Sequence, residues 1–362
     1  MTPSQEFVTG SRAPRILVRA TTWLGDSVMM MPAVQRLREL YPFPAHIALL
    51  CPAKLHDLWR HNALVDEVIA FDHNADMRAL RKRRFDLTVI FPNSFRSAWE
   101  AWLAGIPQRI GYGGHVRRFL LTDVVPEPRG DSPIHRTITV AGETFRVKRF
   151  EPTRHQVHRH LDLVGHLGGN AKPVPPKIWV DLEIQQAMSQ VLEGDQRPLI
   201  GISAGAEYGP AKRWPLDSFA NVARQILEKK ECRFALLGAY GDSEIAAAIE
   251  ARLRPLRDDP KLVVNLAGKT SLMELCAALR CCRVLLTNDT GPMHLAAALD
   301  VPLVAIFGST SPELTGPLSE QAVVIRHPVE CSPCFLRECP IDFRCMTHMT
   351  VDTVVEAMLK LL

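Results

Sequence analysis

Short apolar runs alternate with amphipathic stretches along most of the chain. Arg15 to Ala20, His46 to Cys51, Glu67 to Phe71 and Asp86 to Phe91 are brief β-rich runs bounded by turn or charged residues, and each reads as a strand. Between them, Ser27 to Leu40, Lys54 to Asn62 and Ser94 to Ala104 carry helical spacing. This alternation predicts a parallel sheet covered by helices. A looser Arg- and His-rich region runs from about Gly111 to Arg154, followed by a predicted helix over His155 to Leu167. Pro173-Val174-Pro175-Pro176 then breaks the pattern as the approach to an interdomain linker. A second alternation has strands at Leu199 to Ser203, Arg233 to Leu237, Val263 to Leu266, Val284 to Thr287 and Leu303 to Phe307. Its helices follow Asp217, Ser243, Ser271 and Gly291. The economical reading is two doubly wound α/β domains in tandem, since 362 residues exceed what one core usually serves.

Composition adds an ordinary globular character, with 47% hydrophobic residues and scattered charge. No apolar run approaches the length of a bilayer crossing, and Met1 to Pro14 lacks the apolar stretch of a secretory signal, so a cytosolic chain is expected. Charge is divided unevenly. Residues 1–180 hold 25 Lys and Arg against 16 Asp and Glu, while 181–362 hold 18 against 23. The basic half suits a polyanionic partner or an anionic membrane surface, and a solvated basic face fits equally well. Nucleic acid is disfavoured, because no finger, aromatic RNA-binding signature or long basic helix accompanies the charge.

In doubly wound domains ligands sit outside the carboxyl ends of the strands, so the residues just after each strand carry the candidate chemistry. Val284-Leu285-Leu286 leads into Asn288-Asp289-Thr290-Gly291-Pro292-Met293-His294 and an Ala-rich helix. The free N–H groups of such a helix start stabilise a phosphate, although Asn, Asp and Thr are also ordinary capping residues. The turn after the first strand, Thr21 to Ser27, holds one glycine where a dinucleotide fold needs three, which disfavours a nicotinamide dehydrogenase. It offers Asp26, either a general base or a first-turn acid favoured by the helix dipole. In Ser203 to Pro215, small residues allow a tight backbone path, and Lys212 and Arg213 offset charge on a diphosphate leaving group unless they are simply a solvated pair. After Leu237, Asp242 and Glu244 carry carboxylates suited to ribose hydroxyls, with capping as the other reading. No D-x-D pair is present to hold a divalent ion against a diphosphate, so charge neutralisation falls to Lys212, Arg213 and backbone N–H groups, and no cofactor is expected.

Four ordered stretches resemble glycosyltransferase family nine, the ADP-heptose:lipopolysaccharide heptosyltransferases, and within it the heptosyltransferase II group. They are Trp23 to Met30, Phe91 to Ala98, Gly205 to Pro215, and Asn288 to Ala298 followed by Phe307 to Pro312. The resemblance spans Ile16 to Leu359, and the run Gly205 to Pro215 favours the second heptosyltransferase over the first.

The resemblance implies an α/β GT-B architecture, two Rossmann-like domains facing across a cleft: an acceptor-binding domain over 1–180, an ADP-heptose-binding domain over 181–348, and a C-terminal helix over 349–362 returning to the first domain. It implies inverting transfer from ADP-heptose to the first heptose of the lipopolysaccharide inner core, at the cytoplasmic face of the inner membrane and in peripheral contact with it. Asp26 matches the family's base and Lys212 the lysine at the donor phosphates. Asp289, Thr290, Gly291 and His294 match the donor motif, to which Arg213 and Glu244 are added on chemical grounds. Asn93, Arg96 and Arg118, with Arg109, Arg117 and Arg136, are the expected acceptor contacts. The alternatives are a first or third heptosyltransferase, another nucleotide-sugar transferase of this family, and a non-catalytic sugar-nucleotide-binding protein.

Four of the nine cysteines, Cys331, Cys334, Cys339 and Cys345, fall within fifteen residues. In a reducing cytosol they read as a structural metal site, for zinc or an iron-sulfur cluster, or as plain buried thiols. They are expected to stand apart from catalysis.

Overall fold

The structure, a computed structural model, describes residues 12–114, 116–128, 133–140, 142–151, 154–192 and 195–362. The chain divides into two compact units. The first is drawn from the chain up to 132 and from 154–179, the second from 133–153 and from 180 onward.

The first unit is built on β1 (Arg15–Arg19), β2 (His46–Pro52), β3 (Glu67–Phe71), β4 (Leu87–Ile90), β5 (Gln108–Tyr112) and β6 (Asp123–Val125), all parallel, in the order β3-β2-β1-β4-β5-β6. The central strands are continuous apolar runs because helices cover both faces. Leu17, Ala48 and Leu50 face a cluster closed by Leu80, Phe85 and Ile106. The helix Leu24–Leu40 follows β1 and buries Val28, Met29, Met30, Val34 and Leu37.

The second unit repeats the plan. Its strands β9 (Leu199–Ser203), β10 (Arg233–Leu236), β11 (Val263–Asn265), β12 (Val284–Asn288), β13 (Leu303–Phe307) and β14 (Ala322–Arg326) form a parallel sheet in the order β11-β10-β9-β12-β13-β14. In each sheet the strand order reverses beside the unit's first strand, which is where a doubly wound sheet opens a crevice. In the second unit that point lies between β9 and β12, whose register sets Ser203 opposite Thr287. The loops after these two strands therefore leave the sheet side by side. Two such Rossmann-like units in one chain are the GT-B arrangement of elements.

Two parts of the sequence reading change. The region Gly111 to Arg154 is not loose throughout: β5 and β6 complete the first sheet, and β7 (Ile134–Val140) pairs antiparallel with β8 (Glu143–Arg149). This hairpin belongs to the second unit. Most of β7 is exposed, and Arg136 breaks the apolar face of Ile134, Ile138 and Val140 that would have announced it. The terminal helix Val351–Leu361, expected to return to the first domain, is part of the second unit's core. Val354, Val355 and Met358 are fully buried in the core of the second unit, with Phe219, Val222 and Ile226 of the helix Leu216–Leu227. Each such side chain contributes roughly 1.5–3 kcal/mol on burial, which holds the helix there.

Candidate active site

In the second unit, Asn288 ends β12 fully buried. Its Nδ2 donates to the Ala204 carbonyl at 2.7 Å, and its Oδ1 accepts from the Trp214 N–H at 3.1 Å. One side chain thus ties the loop after β9 to the loop after β12. Asp289 follows with its carboxylate almost wholly buried: Lys212 Nζ lies 2.5 Å from Oδ2, and Thr310 Oγ1 donates to the same oxygen at 2.6 Å. The Lys212 ammonium also stands 4.9 Å over the ring of Tyr208.

Thr290 precedes the helix Gly291–Ala298, yet its side chain makes no capping bond. The hydroxyl turns instead to Thr287 Oγ1 at 3.4 Å. The start of this helix therefore lacks the side-chain cap that would compete with an anion for its N–H groups. His294 is buried on its first turns.

Asp242 lies against the loop after β9. Its carboxylate accepts from the Ala239 N–H at 3.1 Å, and a Cβ on Gly205 would overlap it. Burial pushes the Asp242 carboxyl up, against the pull of the Ala239 N–H and the Arg213 charge. Glu244, the carboxylate expected to bind donor, is exposed in the first turn of the next helix, and Asp242 is the one that reaches the β9 loop. Arg213 folds back on its own loop, donating to the Ala206 carbonyl at 3.2 Å. The buried anchor Thr310 lies inside the motif Phe307 to Pro312, so its signal was present without its partner.

The cysteine-rich segment does not stand apart from this site. The Ala211 N–H donates to the Arg337 carbonyl at 2.9 Å and the Tyr208 hydroxyl to the Phe335 carbonyl at 2.7 Å. A Cβ on Gly209 would collide with the same Arg337 carbonyl. The Cys334 and Phe335 N–H groups both donate to the Ser309 carbonyl, one residue from Thr310. The hairpin braces the far side, with the Phe150 and Phe335 rings edge to face at 5.2 Å. Cys331, Cys334, Cys339 and Cys345 line one small pocket with Ala211 and Ser309. All four are free thiols, and burial pushes that of Cys345 up to about 12. Among the described residues no group of three or more His, Cys, Asp or Glu side chains is arranged to hold a metal ion.

In the first unit, Asp26 sits in the first turn of the helix Leu24–Leu40 and accepts from Gln156 Nε2 at 3.2 Å. Gln156 opens the helix Gln156–His166, some 130 residues away, and nothing in the sequence announces this contact. Asn93, just past β4, donates to Glu127 Oε1 at 3.0 Å, and Arg159 lies 3.4 Å from the same oxygen.

The arginines expected to meet the acceptor divide. Arg118 is exposed. Arg96 is held by Glu100 at 3.0 Å and Asn74 at 2.7 Å. Arg117 is wholly buried, donating to the Tyr112, Pro92 and Ser94 carbonyls, and so holds loops rather than ligand. Arg109 is turned onto the Leu120 and Ile106 carbonyls. Arg136 lies in the second unit's hairpin, paired with Glu151 at 2.7 Å. No helix among the described residues is long and apolar enough to cross a membrane.

Comparison with known proteins gives a consistent picture. The family model described as glycosyltransferase family 9 (heptosyltransferase) matches residues 75–343. The chain is 34% identical over 330 residues to lipopolysaccharide heptosyltransferase 2 of Escherichia coli K12, covering 86% of this chain and 88% of the relative. It is likewise 34% identical over 331 residues to lipooligosaccharide heptosyltransferase 2 of Haemophilus ducreyi, with the same coverage. The solved structure of E. coli ADP-heptose LPS heptosyltransferase II superposes with a TM-score of 0.77 at 30% identity, over 96% of this chain and 98% of that one.

Proposed function

This chain belongs to glycosyltransferase family 9, and from that premise we propose that it is a second heptosyltransferase, moving heptose from ADP-heptose onto the first heptose of the lipopolysaccharide inner core. The observation that carries the reading is the buried Lys212–Asp289–Thr310 cluster beside the uncapped start of the helix Gly291–Ala298. It gathers a fixed cation and free N–H groups where a doubly wound sheet binds nucleotide phosphates.

In this reading the acceptor hydroxyl oxygen attacks the anomeric carbon of the donor heptose, and the bond from that carbon to the phosphate oxygen breaks with inversion. Asp26 takes the hydroxyl proton, with Gln156 fixing the orientation of its carboxylate. ADP departs with the bonding electron pair, and its charge is offset by Lys212 and the helix-start N–H groups. Asp289 and Thr310 hold the ammonium in place before donor arrives. Thr290, Gly291 and His294 complete the donor side, with Asp242 in the role expected of Glu244. Asn93 and Arg118 remain the acceptor contacts, while Arg96 supports the helix beside them. The lipid-borne acceptor puts the enzyme at the cytoplasmic face of the inner membrane.

Incubation with ADP-heptose and heptosylated Kdo-lipid A, in parallel with acceptor lacking heptose, each with and without chelator, tests this. Product on the heptosylated acceptor alone is expected. Product on the bare Kdo acceptor alone would make the chain a first heptosyltransferase, and loss of product on adding chelator would overturn charge neutralisation by Lys212.

A further inference from the structure

The helix Phe95–Leu103 is amphipathic in an unusual sense: the side turned away from the sheet is aromatic. Ser97, Ala98 and Ala101 are buried, while Phe95, Trp99 and Trp102 are each about two-fifths exposed at helical spacing. The three rings form a row, Phe95 to Trp99 at 6.1 Å and Trp99 to Trp102 at 4.9 Å, both stacked. Phe119, from the turn that follows β5, extends it at 6.2 Å from Phe95 and is 70% exposed. A contiguous exposed patch of this kind marks an interaction surface.

Charge selects the occupant. The only acid of this helix, Glu100, is buried between Arg19 and Arg96, so the row carries no exposed negative charge. Exposed cations flank it. Arg118 adjoins Phe119 in sequence, and the short helix Met77–Lys82 packs beside the aromatic helix. That short helix carries Arg81 and Lys82, exposed and without a carboxylate partner among the described residues, and Arg81 Nε lies 3.7 Å from where a Cβ on Gly105 would stand, just past the aromatic helix. Tryptophan and phenylalanine favour the boundary between headgroups and acyl chains, and nearby Lys and Arg are drawn to anionic lipid.

We infer that the row Phe95–Trp99–Trp102–Phe119, flanked by Arg81, Lys82 and Arg118, is the surface by which this chain docks on an anionic phospholipid bilayer. The inference deepens the proposed membrane-face location and rests on it only for that location, since the patch and its charge stand without any statement of the reaction.

The test uses the full chain and acceptor-free vesicles of phosphatidylcholine, with or without about 30 mol% phosphatidylglycerol. Flotation should recover the protein with the anionic vesicles, with binding about tenfold weaker to the neutral ones and falling as salt rises. Trp102→Glu and Phe119→Glu, at exposed positions and checked for unchanged melting, should each weaken anionic-vesicle binding about tenfold or more. The conservative double variant Trp99→Phe with Trp102→Phe should keep binding but lose the tryptophan quenching that brominated acyl chains produce in the parent. Absence of vesicle binding, or equal binding by Trp102→Glu, would overturn the inference. So would a dimer in sedimentation velocity that Trp102→Glu dissolves while vesicle binding stays unchanged, since the patch would then cover a second copy. Transfer to a deacylated, water-soluble acceptor reports on the reaction separately: Trp102→Glu should match the parent there, and failure of the parent itself would fault the proposed reaction and leave the vesicle result standing.

Discussion

Lys212 and Asp289 meet at 2.5 Å, and the Asp289 oxygen that receives the ammonium also accepts the Thr310 hydroxyl at 2.6 Å. Three separate loops, after β9, β12 and β13, are thereby joined at one carboxylate. A charge held in this way needs no reorganisation when the donor phosphates arrive, which is how preorganised electrostatics lowers a barrier.

Lys212→Ala should therefore lower turnover by about 10²- to 10³-fold, the usual cost of removing one preorganised charge-stabilising group. Asp289→Ala should act on stability as well. It leaves the Lys212 ammonium buried without its partner, a loss on the order of 3 kcal/mol. Steady-state transfer kinetics together with thermal melting separate the two effects. A Lys212→Ala enzyme with near-normal turnover would remove this residue from the reaction.

Asp26→Asn keeps the shape and hydrogen-bonding reach of the side chain but not its basicity. Turnover should fall by about 10²- to 10⁴-fold while both substrates bind with little change. Gln156→Ala, which deletes only the 3.2 Å contact to Asp26, should cost about tenfold or less. Full activity in Asp26→Asn would show that the proton goes elsewhere.

These residues differ in how far the sequence exposes them. Asp26, Lys212 and Asp289 follow directly on strand–turn–helix signals, and the strands Glu67–Phe71, Leu199–Ser203 and Leu303–Phe307 coincide with their apolar runs. β6 is only three residues long, and in β7 Arg136 interrupts the face that carries Ile134, Ile138 and Val140, so neither gives an unbroken apolar alternation. The choice of Asp242 over Glu244 depends on a close approach to Gly205, a contact across two loops that no local pattern encodes. The cysteine-rich segment reads as an isolated cluster because its bonds to the Lys212 loop run through the main-chain carbonyls of Phe335 and Arg337, which sequence does not distinguish.

The Gly205–Asp242 contact makes a sharp test of that choice. Gly205→Ala forces its Cβ into the Asp242 carboxylate, so the β9 loop or the Asp242 turn must shift. Donor KM should rise about tenfold or more, with stability lower by about 1–3 kcal/mol. Adding Asp242→Ala to Gly205→Ala should restore most of the lost stability, a coupling measurable as a double-mutant cycle. Strict additivity of the two changes would mean that these residues do not press on each other.

Acid sensitivity should trace in part to His160. Its ring is buried beside Phe91, neither nitrogen has a hydrogen-bond partner among the described residues, and burial, with Arg159 and His155 nearby, lowers its pKa to about 3. In the unfolded chain the same ring titrates near 6.5. The unfolded state therefore binds the extra proton throughout the interval between these values, and the native state does not. Stability contributed by the neutral ring is complete above about pH 6.5 and declines as the pH falls toward 3. His160→Leu cannot take up that proton in either state, so its stability should be less steeply dependent on pH across the same interval, whatever its absolute value at neutral pH. Urea unfolding of both proteins at a series of pH values between 4 and 7 reads this directly. Parallel curves would show that the His160 ring is already protonated, or exposed, in the native protein.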